Sequence, residues 1–321
     1  MIDNYIIKRI SFFCFIFLIV SCIPRESKGD SGITTKSEDK PVVGNYDFNL
    51  SDKALNKADA DATLSSDALK LITWNIQNLG QSKDSTEIAF IVNILKDFDI
   101  VAIQEVVAKH PAGAQKVAQI ADELNRKGSK WDYRISDPTK SPSVYMSERY
   151  AFLWKTSKVD LKGRAYLDDE LASVIFREPY IAKFKMKNSD STFHVINFHS
   201  RKYNDNPELE TQYFKYYQER LSADKLLIAG DFNLNEKHEV WNDLYEQGFK
   251  SALKDQKTTL KQKCSMGDYL SHEIDNIYYS KGMTFQKSGV VDFVQHCENL
   301  ILSRMISDHL PVFLEFTIKG N

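Results

Sequence analysis

From residue 68 onward the chain alternates two kinds of hydrophobic pattern. Short apolar runs at Leu71–Trp74, Ile100–Ile103, Ala151–Trp154, Tyr180–Phe184, Phe193–Phe198, Leu226–Ala229, Ile274–Tyr279 and Val312–Phe316 have the length of strands. Between them, Ser85–Asp97 repeats apolar residues at Ile88, Ile91, Val92 and Leu95, the spacing of one helical face. Val117, Ile120 and Leu124 mark a second helix, and a third is predicted over Leu209–Arg220. Several of the strand runs are apolar on both faces, which suits strands covered on both sides. With no internal repeat and no second linker, residues 68–321 read as one α/β domain of two packed sheets flanked by helices.

What the strands share is how they end. Ile72-Thr73-Trp74 runs into Asn75, Ile100–Gln104 into Glu105, and Phe193–Phe198 into His199. Leu226–Gly230 runs into Asp231-Phe232-Asn233, Asp275 opens the Asn276–Tyr279 run, and Ser307-Asp308-His309 precedes the last strand. One such ending is usually a turn or a cap. Six in one domain favour a site, because strand ends in layered α/β folds gather on one rim.

The N-terminus follows a different pattern. Lys8-Arg9, the apolar stretch Ile10–Val20 and then Ser21-Cys22 describe a signal peptide over residues 1–21, too short to span a bilayer comfortably. Ile19-Val20-Ser21-Cys22 resembles a bacterial lipobox, which makes Cys22 the expected lipidation site and the bacterial cell envelope the expected location. Residues 22–67 then form a polar tether with a reach of roughly 35–40 Å, so the membrane would be met through the lipid anchor alone. With Cys14 in the signal and Cys22 at the lipid site, only Cys264 and Cys297 remain. In an oxidising compartment these two are expected to pair, the alternative being two buried thiols.

Composition narrows the function. At 42% hydrophobic and 27% charged the chain is globular, and its net charge of −2 excludes a long-range basic field as the means of attracting nucleic acid. Glu105, Asp231 and Asp308 offer hard oxygen ligands suited to Mg²⁺ or Ca²⁺, and no Cys/His cluster suggests zinc. His199 and His309 suit acid and base work, with Glu148 and Asp275 as orienting acceptors, and Asn233 and Arg177 suit phosphate oxygens. That residue set fits phosphodiester hydrolysis.

The ordered series WNIQN (74–78), IQEV (103–106), SERYAF (147–152), FREP (176–179), NFHS (197–200), GDFN (230–233), IDNIYY (274–279) and SDHLPV (307–312) resembles the endonuclease/exonuclease/phosphatase superfamily, and within it the deoxyribonuclease I branch. The resemblance implies a four-layer α/β sandwich. It implies Glu105 as a main metal ligand with Asn75, Asp231 and Asp308 nearby, His199–Glu148 and His309–Asp275 as acid and base pairs in unassigned order, and Arg177 and Asn233 on the scissile phosphate. It further implies Mg²⁺ (or Ca²⁺ or Mn²⁺), a nucleic acid substrate, products with a 5′-phosphate, and a monomer without an obligate protein partner.

Two positions depart from the branch. Val107 and Met146 stand where deoxyribonuclease I places an Arg and a Tyr in the minor groove, which weakens the expectation of efficient duplex cutting and leaves hydrolysis untouched. Arg201 and Lys202 supply either phosphate contacts or a solvated pair, and the lysines of Lys254–Lys263 either track a backbone or form a solvated run. Tyr213, Phe214, Tyr216 and Tyr217 read as core more than as a stacking platform, and His110, His194, His238, His272 and His296 as structural or exposed. The leading expectation is a lipid-anchored, metal-dependent DNA endonuclease. A sphingomyelinase-like phosphodiesterase and a non-catalytic binding lipoprotein are the alternatives.

Overall fold

A computed structural model describes residues 68–140, 143 and 145–319. These fall within one compact unit, 49–321. The expected signal peptide, Cys22 and the expected tether lie outside the described residues. No described helix is long and apolar enough to cross a membrane.

The chain runs β1 (Leu69–Leu79), α1 (Ser85–Leu95), β2 (Ile100–Val107), α2 (Ala112–Arg126), β3 (Trp131–Ile135), β4 (Glu148–Lys155), β5 (Val159–Leu161), β6 (Tyr166–Leu167), β7 (Tyr180–Met186) and β8 (Thr192–His199). It continues through α3 (Glu208–Thr211), α4 (Tyr217–Arg220), β9 (Leu226–Asp231), α5 (Asn242–Glu246), β10 (Lys250–Ser251), β11 (Leu260–Ser265), β12 (Asp268–Leu270), β13 (Asp275–Tyr279), β14 (Met283–Val290), α6 (Leu300–Ile306) and β15 (Val312–Ile318). One sheet has the order β14-β15-β1-β2-β4-β3, and the other has β10-β13-β9-β8-β7-β5 with β6 on β7. Each of these two sheets holds one parallel pair, β1 with β2 and β8 with β9, among antiparallel neighbours, and β11 and β12 form a separate antiparallel pair. The expected sandwich of two mixed sheets flanked by helices is the fold observed.

Strand alternation builds the layers. On β1 the odd positions Leu69 and Leu71 join Ala102, Phe152, Phe184, Val195, Leu227 and Ile277 in the core between the sheets. The even positions Ile72, Trp74 and Ile76 pack outward against Ile88, Ile91, Val117 and Ile120 of α1 and α2. On the far side Ile196, Phe198 and Ile228 meet Phe214, Tyr217, Trp241 and Leu244. Each fully buried Leu, Ile or Phe contributes about 1.5–3 kcal/mol, so these three clusters dominate stability.

Local signals set the helix ends. Asp84 caps α1 by accepting from the backbone N–H groups of Thr86 and Glu87, and Glu87 reaches back to the Asp84 N–H at 2.7 Å. The helix expected over Leu209–Arg220 divides into α3, a 3₁₀ stretch over Gln212–Tyr216, and α4. Phe214 and Tyr217, three apart and hence on one face of a helical turn, lie on one buried side. A disulfide joins Cys264 to Cys297 across a sequence separation of 33, with Cα atoms 5.7 Å apart. Chain entropy assigns such a loop about 3–4 kcal/mol.

Candidate active site

The inward rows of the strands change character along their length. Leu71 is followed on its row by Thr73 and Asn75, Ala102 by Gln104, Val195 by Asn197 and His199, Ala229 by Asp231, and Phe152 by Tyr150 and Glu148. The first polar tier closes on itself: Gln104 Nε2 donates to Thr73 Oγ1 at 2.9 Å and across the sandwich to Asn197 Oδ1 at 2.6 Å. Asn197 Nδ2 in turn donates to the carbonyls of Ile103 and Ala151 at 3.1 and 3.2 Å. Beyond that tier the ionisable residues emerge on one rim, around a cleft of about 550 Å³ lined by Glu105, Glu148, Arg177, His199, Asp231, Asn233 and His309 among others.

Register fixes their order. His199 and Asp231 are lateral partners on parallel β8 and β9, and Asp275 is the antiparallel partner of Asp231 on β13. The two imidazoles converge on one oxygen: His199 Nε2 lies 3.5 Å and His309 Nε2 3.7 Å from Asp231 Oδ2. Their Nδ1 atoms are held from behind, His199 by Glu148 at 2.9 Å and His309 by Asp275 at 3.0 Å.

Backbone distortion aims the other groups. Glu105 sits at φ 58°, where the pairing of β2 with β4 shifts register between Ile103 and Val106. Asn78 and Asn233, on the cleft as well, take φ 52° and 51°. Such left-handed positions for residues with a Cβ are held only by surrounding structure and gather at functional sites. At Gly230, φ 149°, a Cβ would stand 1.8 Å from the Phe198 carbonyl oxygen, so β8 and β9 approach closely only because this residue is glycine.

Asn75 ties three of the four expected metal-binding residues together. Its Nδ2 donates to Glu105 Oε1 and to Asp231 Oδ2, both at 3.1 Å, while the Asn78 N–H donates to Glu105 Oε2 at 3.1 Å. Asn75 Oδ1 is buried and has no hydrogen-bond partner. The amide nitrogen faces the two carboxylates, and the orphaned Oδ1 with the carboxylate oxygens makes up an all-oxygen donor set, the chemistry that a hard divalent cation takes. Asp308, the fourth, accepts from Gln77 Nε2 at 3.2 Å and stands 3.8 Å from Arg304. Asp231, Asp275 and His309 also present ligand atoms within 4.8 Å of one another. In that trio, however, Asp275 already accepts from Thr258 Oγ1 at 2.6 Å and holds His309.

Electrostatics separate the two imidazoles. Burial would lower the His199 pKa and Arg177 lowers it further, but Glu148 and Asp231 outweigh them and leave it raised. Burial would raise Glu148, yet His199 and Arg177 hold it below the usual carboxylate range. Around His309, burial is opposed by Asp275, Asp231 and Asp308, and its pKa is pushed up to about 10. Asp275 is itself raised, by burial and by the neighbouring Asp231 despite His309.

Other expected residues take definite places. Arg177 donates to the carbonyls of His199 and Ser200 and lies 3.7 Å from Glu148, so it braces the His199 side while facing the cleft. Asn233 lines the cleft, with its N–H on Asp231 Oδ1 at 3.0 Å. Arg201 is paired with buried Glu210 at 3.2 Å and stacked on Phe176 at 4.0 Å, neither a free phosphate ligand nor a solvated side chain. Lys202 is exposed on the cleft wall. Val107 and Met146 line the cleft, joined by Lys109 over the Tyr145 ring at 4.9 Å.

In the lysine run, Lys257 and Lys261 both pair with Asp268, which supports the solvated reading. Phe214 and Tyr217 are core, whereas Tyr216 is exposed. His110 and His238 accept backbone N–H groups at helix starts. The sequence assigns no role to Thr258 or, within the SDHLPV motif, to Ser307: Ser307 Oγ donates to the Asn75 carbonyl at 2.6 Å and accepts from the His309 N–H at 3.0 Å. Neither lies in a periodic run that would single it out.

The chain belongs to the Endonuclease/Exonuclease/phosphatase family, whose model matches residues 72–309. Among relatives, a deoxyribonuclease of Thioalkalivibrio sp. (strain K90mix) is 28% identical over 282 residues, 79% of this chain and 72% of that one. Deoxyribonuclease-1 of Bos taurus is 30% identical over 176 residues, 52% of this chain but only 61% of that protein's length. Among solved structures, an endonuclease/exonuclease/phosphatase family protein from Bacteroides thetaiotaomicron superposes with a TM-score of 0.59 at 15% identity, covering 79% of this chain and 98% of that one. A mannosyl-6-phosphatase from the same organism gives 0.56 at 15% identity, covering 78% and 100%. At such identities these structures establish the fold and nothing finer.

Proposed function

We propose that this protein is a divalent-metal-dependent phosphodiester hydrolase that cuts DNA internally with little sequence preference, and that it is exported and lipid-anchored through Cys22. The observation that carries the catalytic reading is the convergence of two carboxylate-backed imidazoles on Asp231 Oδ2, from opposite sides of one cleft. Deoxyribonuclease relatives favour DNA over other phosphodiesters. The export and anchoring reading rests on the Lys8–Cys22 pattern alone.

Asn75, Glu105 and Asp231 would hold the cation, Mg²⁺ or a similar hard ion, which supplies charge stabilisation at the scissile phosphate. One imidazole accepts the proton of the attacking water as its oxygen bonds to phosphorus. The other donates a proton to the leaving 3′ oxygen as the P–O bond breaks, giving a 5′-phosphate and a 3′-hydroxyl. Glu148 and Asp275 keep the rings oriented, and Asn233 and Arg177 face the phosphate oxygens.

The test is nicking of supercoiled plasmid by the purified chain with Mg²⁺ or with EDTA, beside Glu105→Gln. Metal-dependent nicking that leaves 5′-phosphates and drops at least about 100-fold in the variant is the expected result. Unchanged nicking in EDTA or in Glu105→Gln would overturn the assignment.

A further inference from the structure

A second hollow of about 400 Å³ adjoins the cleft, and Asn233 lines both. The ridge between them is a single turn after β8: Lys202 and Asp205 line the cleft, and Tyr203 between them lines the second hollow. Opposite Tyr203 the hollow is closed by Ser271, His272 and Glu273.

The two spaces differ in chemistry. The cleft carries Lys109, Arg177 and Lys202, cations suited to a phosphate backbone. The second hollow is lined by no Lys or Arg. It offers amide, hydroxyl, imidazole and carboxylate groups around an aromatic ring that is 75% exposed. A phosphate has no counter-charge there, and the two aliphatic side chains, Leu234 and Ile274, are too few to bed an acyl chain. A flat, uncharged, hydrogen-bonding group beside a ring fits it, and nucleobases have that chemistry.

We propose that the second hollow is a nucleobase subsite, in which Tyr203 stacks an unpaired base of the strand whose phosphate lies at Asn233. This rests on the nuclease reading and sharpens it: a base must leave its partner to enter, so single strands and frayed ends are preferred over closed duplex. Tyr203 is a binding residue here, outside the chemistry.

The test measures binding by the full chain in EDTA, so that no cleavage intervenes. The probes are fluorescent hexathymidylate and the same backbone with every base removed, and the proteins are the parent, Tyr203→Ala and Tyr203→Phe. Stacking predicts that Tyr203→Ala weakens hexathymidylate binding about 5- to 100-fold, that Tyr203→Phe restores most of it, and that all three proteins bind the abasic strand alike. Equal affinity of parent and Tyr203→Ala for hexathymidylate, an equal loss on the abasic strand, or no binding by the parent would each overturn the subsite. Cleavage of the same hexamer with Mg²⁺ is scored separately. Tyr203-dependent base binding without cleavage would overturn the nuclease reading and leave the subsite standing.

Discussion

The two halves of the cleft hold the same device in different settings. On one side His199 and Glu148 come from neighbouring sheets, with Arg177 braced beside them by the His199 and Ser200 carbonyls. On the other, His309 and Asp275 are backed by Thr258, and the acidic groups Asp231 and Asp308 surround them without an equivalent arginine. Both imidazoles have raised pKa values, but His199 is raised against an opposing arginine, whereas carboxylates alone act on His309 against its burial. Two similar pairs, His199–Glu148 and His309–Asp275, are thereby set in different charge environments, the kind of difference that separates an acid from a base. A cation seated at Asn75, Glu105 and Asp231 would lower the proton affinity of both imidazoles, since both face Asp231 Oδ2 and are raised by it.

The strongest way to break the comparison is to remove the point where the halves meet. Asp231→Asn retains the shape but takes charge from both imidazoles and from the metal site, and plasmid nicking should fall by about 1,000-fold or more. In the metal-free variant, NMR titration should show the His309 pKa lower than the parent's, since Asp231 raises it. A variant within tenfold of the parent would show that the halves do not work through this residue.

A narrower change separates the halves. Thr258 is fully buried, and its hydroxyl donates to Asp275 Oδ2 at 2.6 Å while accepting from the Asp275 N–H at 3.1 Å. Thr258→Val should lower kcat about tenfold with KM nearly unchanged, and Thr258→Ser should recover most of the loss. The His309 titration should move while that of His199 stays. Movement of both, or of neither, would deny Thr258 a role confined to one half.

The smallest expected effect lies away from the cleft. His194, on β8, has its pKa lowered by burial and by Lys183 from 6.5 to about 4. The folded state thus binds its proton less readily than the unfolded chain, so stability is lost as pH falls from 6.5 toward 4. Allowing for solvent at a ring only partly buried, the loss is about 1–2 kcal/mol. Urea denaturation from pH 7.5 to 4.5 should show His194→Gln losing less stability than the parent over that interval. Parallel curves would remove His194 from the account.

Much of this arrangement is legible in the sequence because one rule serves core and site alike. The alternation that puts Leu71, Ala102, Val195 and Ala229 between the sheets puts Asn75, His199 and Asp231 on the same inward rows, nearer the rim. Apolar runs that end in polar residues therefore announce both. What escapes is structure made by irregular backbone: the bulge at Glu105, the placement of Thr258 behind Asp275, and the turn that lifts Tyr203 beside Asn233. None has a period, and each depends on partners far away in the chain. Asp308 shows the same limit, since adjacency to His309 did not reveal that Gln77 and Arg304 hold its carboxylate.

The central claim is that both imidazoles act together on one phosphodiester. The direct measurement is Mg²⁺-dependent nicking by the parent, His199→Ala, His309→Ala and the double variant under single-turnover conditions. Groups acting as a unit predict that each single variant falls about 100- to 10,000-fold and that the double variant is scarcely slower than either. A single variant that keeps the parental rate, or losses that multiply in the double variant, would contradict it.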